Sequence, residues 1–140
     1  MKYAMVDRQA LTDRRLWVLA AGDAVVFVLF AALGHEQHGE STGIGHIVGT
    51  AVPFIAGWLV MSPWAGAYRM PRRLELRQVL QRTGFAWLCA WPVALLLRAL
   101  VLQRGIPLSF ALVALITNAI FLGVWRTAFV LALSRRGSRP

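Results

Sequence analysis

Nineteen consecutive residues, Leu16–Gly34, read LWVLAAGDAVVFVLFAALG, with a single charge, Asp23, well inside the run. Wound as a helix at about 1.5 Å per residue they measure roughly 28 Å, close to the ~30 Å of a bilayer's hydrocarbon layer. A run of this length and character is a membrane-spanning helix, and three more apolar blocks follow it. The expected fold is therefore all-α: an integral membrane four-helix bundle with lipid as its solvent.

Composition agrees where it bears on the point. The chain is 58% hydrophobic and 15% charged, whereas a soluble domain is nearer half apolar and a quarter charged. The formal charge of +9 does not point to nucleic acid, because the basic residues flank the apolar blocks as topology signals do. Cys89 is the one cysteine, so neither an internal disulfide nor a CxxC pair can form. Arg14 and Arg15 precede the first block as in a signal peptide. The block exceeds the ~7–15 apolar residues of such a leader, however, and is read as retained.

In chain order, residues 1–15 form a polar amino-terminal arm and the membrane domain covers 16–133, with spans at about 16–34, 46–68, 84–102 and 107–133. Residues 134–140 are a basic tail. Pro53 and Pro63 in the second span predict kinks that neighbouring groups re-satisfy. Residues 69–83 hold five arginines and a helical apolar face, Leu76, Val79, Leu80 and Thr83. They are expected to lie along the headgroups or to extend the third helix. Pro107 opens the fourth span at the first-turn position it favours.

Lysine and arginine set the orientation. The amino-terminal arm carries four, the 69–83 segment five and the carboxyl end four, while the other two links together carry only Arg104. Both termini are expected in the cytoplasm, in a plasma (inner) membrane. Arg69, Arg72, Arg73, Arg77, Arg82 and Arg126 are the expected contacts to anionic lipid at that face. Trp17, Trp64 and Trp125 fall near the cytoplasmic ends, where indoles favour the interface, and Trp58 and Trp91 are expected between helices.

The polar groups inside the spans are few, which makes each informative. Asp23 lies ~12 Å above the cytoplasmic edge, where a charged side chain costs on the order of 2.5–3.5 kcal/mol. It shares a mostly small stripe with Ala20, Ala24, Phe27, Ala31 and Gly34, so it should face protein. It is either an ion or proton site or a buried staple. Asn118, at nearly the same estimated depth, is its expected companion, though a mid-span Asn also serves as helix glue. Arg98, four residues from the outer end of the third span, either snorkels to the interface or turns inward towards Asp23 or Glu40. The outer link gathers His35, Glu36, His38, Glu40 and His46. It reads as a solvated loop, with metal, pH sensing or haem ligation as the sharper alternatives. Its HExH spacing is not the HExxH of a zinc protease helix, and no metal or cofactor is expected. Gly45, Gly49, Pro53 and Gly57 give the second span a small face for close packing in the bundle or between protomers.

Taken in order, Gly22-Asp23, His38-Gly39-Glu40, Pro53-Phe54 with Gly57-Trp58, Trp91-Pro92 with Arg98, Pro107 with Phe110, and Asn118 with Trp125-Arg126 resemble a family of small prokaryotic membrane proteins, domain of unknown function 3054. The resemblance covers about residues 15–130. It implies a four-span membrane protein and no activity, substrate or cofactor, and it points to Asp23, Glu40, Arg98, Asn118 and Arg126.

Three functions compete. The leading one is a small homo-oligomeric permease or channel, with Asp23 as its ion or proton site and Asn118 and Arg98 beside the pathway. The alternative is a non-catalytic accessory or assembly subunit of a larger membrane complex. A membrane enzyme built on the outer His/Glu loop ranks last, since no complete acid–base, nucleophile or metal set can be specified.

Overall fold

The computed structural model describes residues 14–36, 43–69 and 75–137, and among them it shows four helices and no strand. They are α1 (Arg14–Glu36), α2 (Ile44–Trp64), α3 (Leu76–Leu102) and α4 (Leu108–Gly137). Each is long and apolar enough to cross a membrane, and the chain is a multi-pass membrane protein. Every helix packs against its neighbours in sequence and α1 closes against α4, giving a ring of four with alternating directions. At 30 residues α4 is ~45 Å long, and α3 at 27 is ~40 Å. Both outrun the hydrocarbon layer, so they tilt or carry their ends among headgroups.

The outward faces are apolar: Val25, Leu29, Val52, Leu59, Leu88, Leu96, Val113 and Ile120 are all exposed. Water cannot be the solvent for such a surface, and lipid can. Between the helices the seams are small or aromatic. Ala86, Ala90 and Ala94 are fully buried and recur every fourth residue of α3, one row of the helix surface that continues to Arg98. Against this row α2 comes so close that a Cβ at Gly57 would stand 2.9 Å from the Ala94 backbone nitrogen. Glycine is required there by the approach of two backbones. Phe27, Phe30, Phe54, Trp58 and Trp87 fill the centre.

One helix end meets an expectation and another departs from it. α3 is continuous from Leu76, so the arginine-rich segment beyond residue 75 is an extension of the third helix. α2 stops at Trp64, four residues before Tyr68. The Gly66 N–H bonds to the Pro63 carbonyl and the Ala67 N–H to the Ser62 carbonyl, with Gly66 at φ +80°. This is the Schellman pattern, which needs a left-handed residue where only glycine is unstrained. The reversal turns Ala67 and Tyr68 back towards the bundle.

Candidate functional site

Asp23 and Arg126 are both wholly buried and form an ion pair, Arg126 Nη2 to Asp23 Oδ2 at 2.7 Å. The same oxygen accepts the Tyr68 hydroxyl at 2.5 Å and the Trp58 indole N–H at 3.0 Å. The indole N–H is shared with the Tyr68 oxygen, 2.9 Å away. Arg126 Nη1 donates to the Ala67 carbonyl at 2.9 Å, and its guanidinium carbon stands 5.7 Å from the Trp58 ring centre and 5.1 Å from that of Tyr68. Three elements are thereby clasped at one point: α1 through Asp23, α4 through Arg126, and the end of α2 through Trp58, Ala67 and Tyr68.

Local sequence explains how they meet. A Cβ at Gly22 would lie 2.0 Å from the Trp125 ring, so the glycine preceding the acid makes room for the indole preceding the arginine. Trp125 also donates to the Leu19 carbonyl, 3.4 Å away. The pair Gly22-Asp23 thus fits the pair Trp125-Arg126 side by side. Asp23 Oδ1 and Arg126 Nε have no hydrogen-bond partner, so the second half of a two-point carboxylate–guanidinium fork is unmade.

Beyond Trp58 the interior is a stack of rings. Trp58, Phe27 and Trp87 lie with centres 5.5–6.4 Å apart. Phe54, Phe30 and Phe110 continue the series towards the opposite end at 5.5–6.4 Å. Trp87 and Trp91 tie α3 to α4 by donating to the carbonyls of Leu115 and Ala111 at 2.9 and 3.0 Å. Their four-residue spacing meets the same spacing on an antiparallel neighbour.

The stack ends in a cavity of about 740 Å³ lined by the end of α1, the start of α2 and the α3–α4 link. Arg98 lines it, 9% exposed, donating from Nη1 to Thr50 Oγ1 at 3.1 Å with its guanidinium carbon 4.5 Å above the Phe110 ring centre. His46, Arg104 and Ser109 line the same space. A second cavity of about 190 Å³ opens beside Gly84 and Gly123. Neither cavity touches Asp23.

These positions correct several expectations. Asn118 is not the partner of Asp23: its Nδ2 donates to the Ala114 carbonyl one turn back at 3.0 Å, and its buried Oδ1 is unpartnered. Arg98 does not reach Asp23, being held at the far end by Thr50 and Phe110, and it is withdrawn from the surface instead of snorkelling. Arg126 is not a headgroup contact, since it is 0% exposed and committed to Asp23. Arg69, Arg77 and Arg82 stay at the surface or part-buried, with Arg82 donating to the Arg69 carbonyl at 2.8 Å. His38, Glu40, Arg72 and Arg73, and the side chain of His35, lie outside the described residues; His46 is exposed at the cavity rim.

Tyr68 and Trp58 escaped the sequence reading as partners of the acid, although Gly66 two residues before Tyr68 signals the turn that delivers it. Arg126 could have been found by counting depth from the carboxyl end. It lies ten residues before Arg136, ~15 Å, against ~12 Å for Asp23 counted from Arg15.

The family model described as "Protein of unknown function (DUF3054)" matches the chain over residues 20–129. No curated protein and no solved structure matches it.

Proposed function

The chain belongs to DUF3054, a family of proteins of unknown function, and on that footing we propose that it is a small permease of the plasma (inner) membrane, with both termini in the cytoplasm. The observation that carries this reading is the arrangement along the bundle axis. A cavity of about 740 Å³ opens at one end, aromatic rings close the middle, and the Asp23–Arg126 pair clasps the other end. Such an arrangement suits a carrier open to one side and shut on the other. With Arg126 withdrawn inside, the flanking Lys and Arg still stand twelve against one, which supports a clasp on the cytoplasmic side and a cavity outside.

Asp23 in this reading is a proton site that controls the clasp. A proton on its carboxylate removes the charge that holds Arg126, freeing α4 from α1 and α2. Four helices hardly enclose a pathway, so the unit is a homo-oligomer. The open small-residue face at Gly45 and Gly49, where an added Cβ would meet nothing within 4 Å, suits contact between protomers. Exposed Arg69 and Arg77 hold anionic lipid at the cytoplasmic face.

Proteoliposomes under an inward pH gradient test the proposal. Wild-type protein drives solute uptake, and Asp23→Asn, checked for folding by size-exclusion elution and circular dichroism, abolishes the pH-driven component. Unchanged flux in that folded variant eliminates proton coupling at Asp23.

One observation favours a second reading, a non-catalytic assembly subunit. Asp23 Oδ2 is fully engaged by partners from its own chain, as a register-fixing staple would be. That reading predicts co-purification with a larger complex and an Asp23→Asn phenotype limited to stability.

A further inference from the structure

We propose that the outer cavity is a binding site for an oxyanion, a carboxylate or phosphate group carried on a molecule with an apolar portion. Arg98 is nine-tenths buried and spends one of its five N–H donors on Thr50. No carboxylate of the described residues pairs with it: the ion pair among those residues is Asp23–Arg126, at the other end of the ring stack. A buried charge in a membrane helix is costly, and such groups mark ligand pathways.

Two further features have the same sign. Arg104 lines the same space, adding a second guanidinium beside the first. The amino-terminal turn of α4 borders the cavity through Ser109 and Phe110, and the first amides of a 30-residue helix have no intrahelical acceptors and carry the positive end of its dipole. Together they leave a cavity with positive charge on three sides. The planar fork of Arg98 matches two oxygens of a carboxylate or phosphate, while Phe30, Phe110 and Val113 offer apolar wall to the rest of the molecule. The cation–π contact with Phe110 and the bond to Thr50 hold the fork in place, so a ligand meets donors already oriented.

The inference rests on the permease reading only in treating the anion as cargo; the site itself stands on the charge and shape of the cavity. Its test is equilibrium binding to the full-length protein in nanodiscs of phosphatidylcholine. Inorganic phosphate and octanoate serve as soluble probes by calorimetry, and phosphatidylglycerol as the lipid probe by native mass spectrometry. At least one is expected to bind saturably, with affinity falling tenfold or more in Arg98→Gln. Arg104→Glu, at an exposed position that folding does not need, places a carboxylate at the mouth and lowers affinity comparably. Arg135→Gln, on the opposite end, changes nothing. Soluble probes competing with phosphatidylglycerol identify a solute site, and retention of phosphatidylglycerol alone identifies a headgroup site; both support an oxyanion pocket. Binding of none of the three, or equal binding in wild type, Arg98→Gln and Arg104→Glu, overturns it. Arg98-dependent binding without any flux removes the permease and keeps the site, whereas pH-driven flux without such binding does the reverse.

Discussion

Asp23 and Arg126 are 103 residues apart in the chain and 2.7 Å apart in space, with neither side chain exposed. Taking either partner away leaves the other as a bare charge in a dry interior, which costs about 3–5 kcal/mol. Taking both leaves apolar surface and no orphan charge. Asp23→Ala and Arg126→Ala are therefore each expected to destabilise by that amount, and the double variant by clearly less than the sum. Sodium dodecyl sulfate titration in mixed micelles measures the three free energies, and additive effects would show that the pair is not coupled.

Tyr68→Phe keeps the ring beside Arg126 and deletes the hydroxyl that bonds Asp23. Hydrogen bonds to charged groups contribute about 1.5–3 kcal/mol, and a loss in that range is expected in the same titration. The shared indole N–H then has the carboxylate as its sole acceptor. Trp58→Phe in the Tyr68→Phe background is accordingly expected to cost more than the same change in wild type.

Gly66→Ala tests the reversal after α2. The nearest atom to an added Cβ is Arg69 Cδ at 3.6 Å, an ordinary contact, so any cost is conformational. A left-handed alanine costs about 1–2 kcal/mol, and asparagine, which tolerates that conformation, costs less. Equal stability of Gly66→Ala and Gly66→Asn would mean the turn does not govern the placement of Tyr68.

Glycines with the same sequence appearance differ sharply. Gly57→Ala drives a methyl into the Ala94 backbone at 2.9 Å, and overpacking of this kind costs about 1–3 kcal/mol. Gly49→Ala meets nothing within 4 Å and is expected to stabilise the isolated protomer by about 0.5–1 kcal/mol through its helix preference. A loss of oligomer in Gly49→Ala, measured by cross-linking in membranes, would assign that face to the contact between copies.

The helices were legible because the membrane imposes a single requirement, an apolar run long enough to cross, and each run satisfies it without reference to the others. Asp23 on a small-residue stripe was legible as a buried acid for the same reason. Its partner was not. Arg126 belongs to a carboxyl-terminal cluster in which Arg135 and Arg136 are exposed, and a count of positive charges treats them alike. Asn118 looked the better match on depth, yet its amide is satisfied within its own helix, which spacing alone does not disclose. The end of α2 was misplaced because hydropathy continues through Ala65, Ala67 and Tyr68. The signal there is conformational, one glycine at a C-terminal cap. Arg98 was placed near the outer end, but its inward turn depends on Thr50 and Phe110, residues from two other helices.

The order in which Asp23 meets its partners has a consequence for synthesis. Trp58 follows it by 35 residues, Tyr68 by 45 and Arg126 by 103. At about 5–20 residues per second, a ribosome delivers the arginine roughly 5–20 s after the acid. Until then the nascent carboxylate has neutral donors at most, so a chain halted before its last helix holds an acid without its cationic partner, and completing that helix is what closes the clasp.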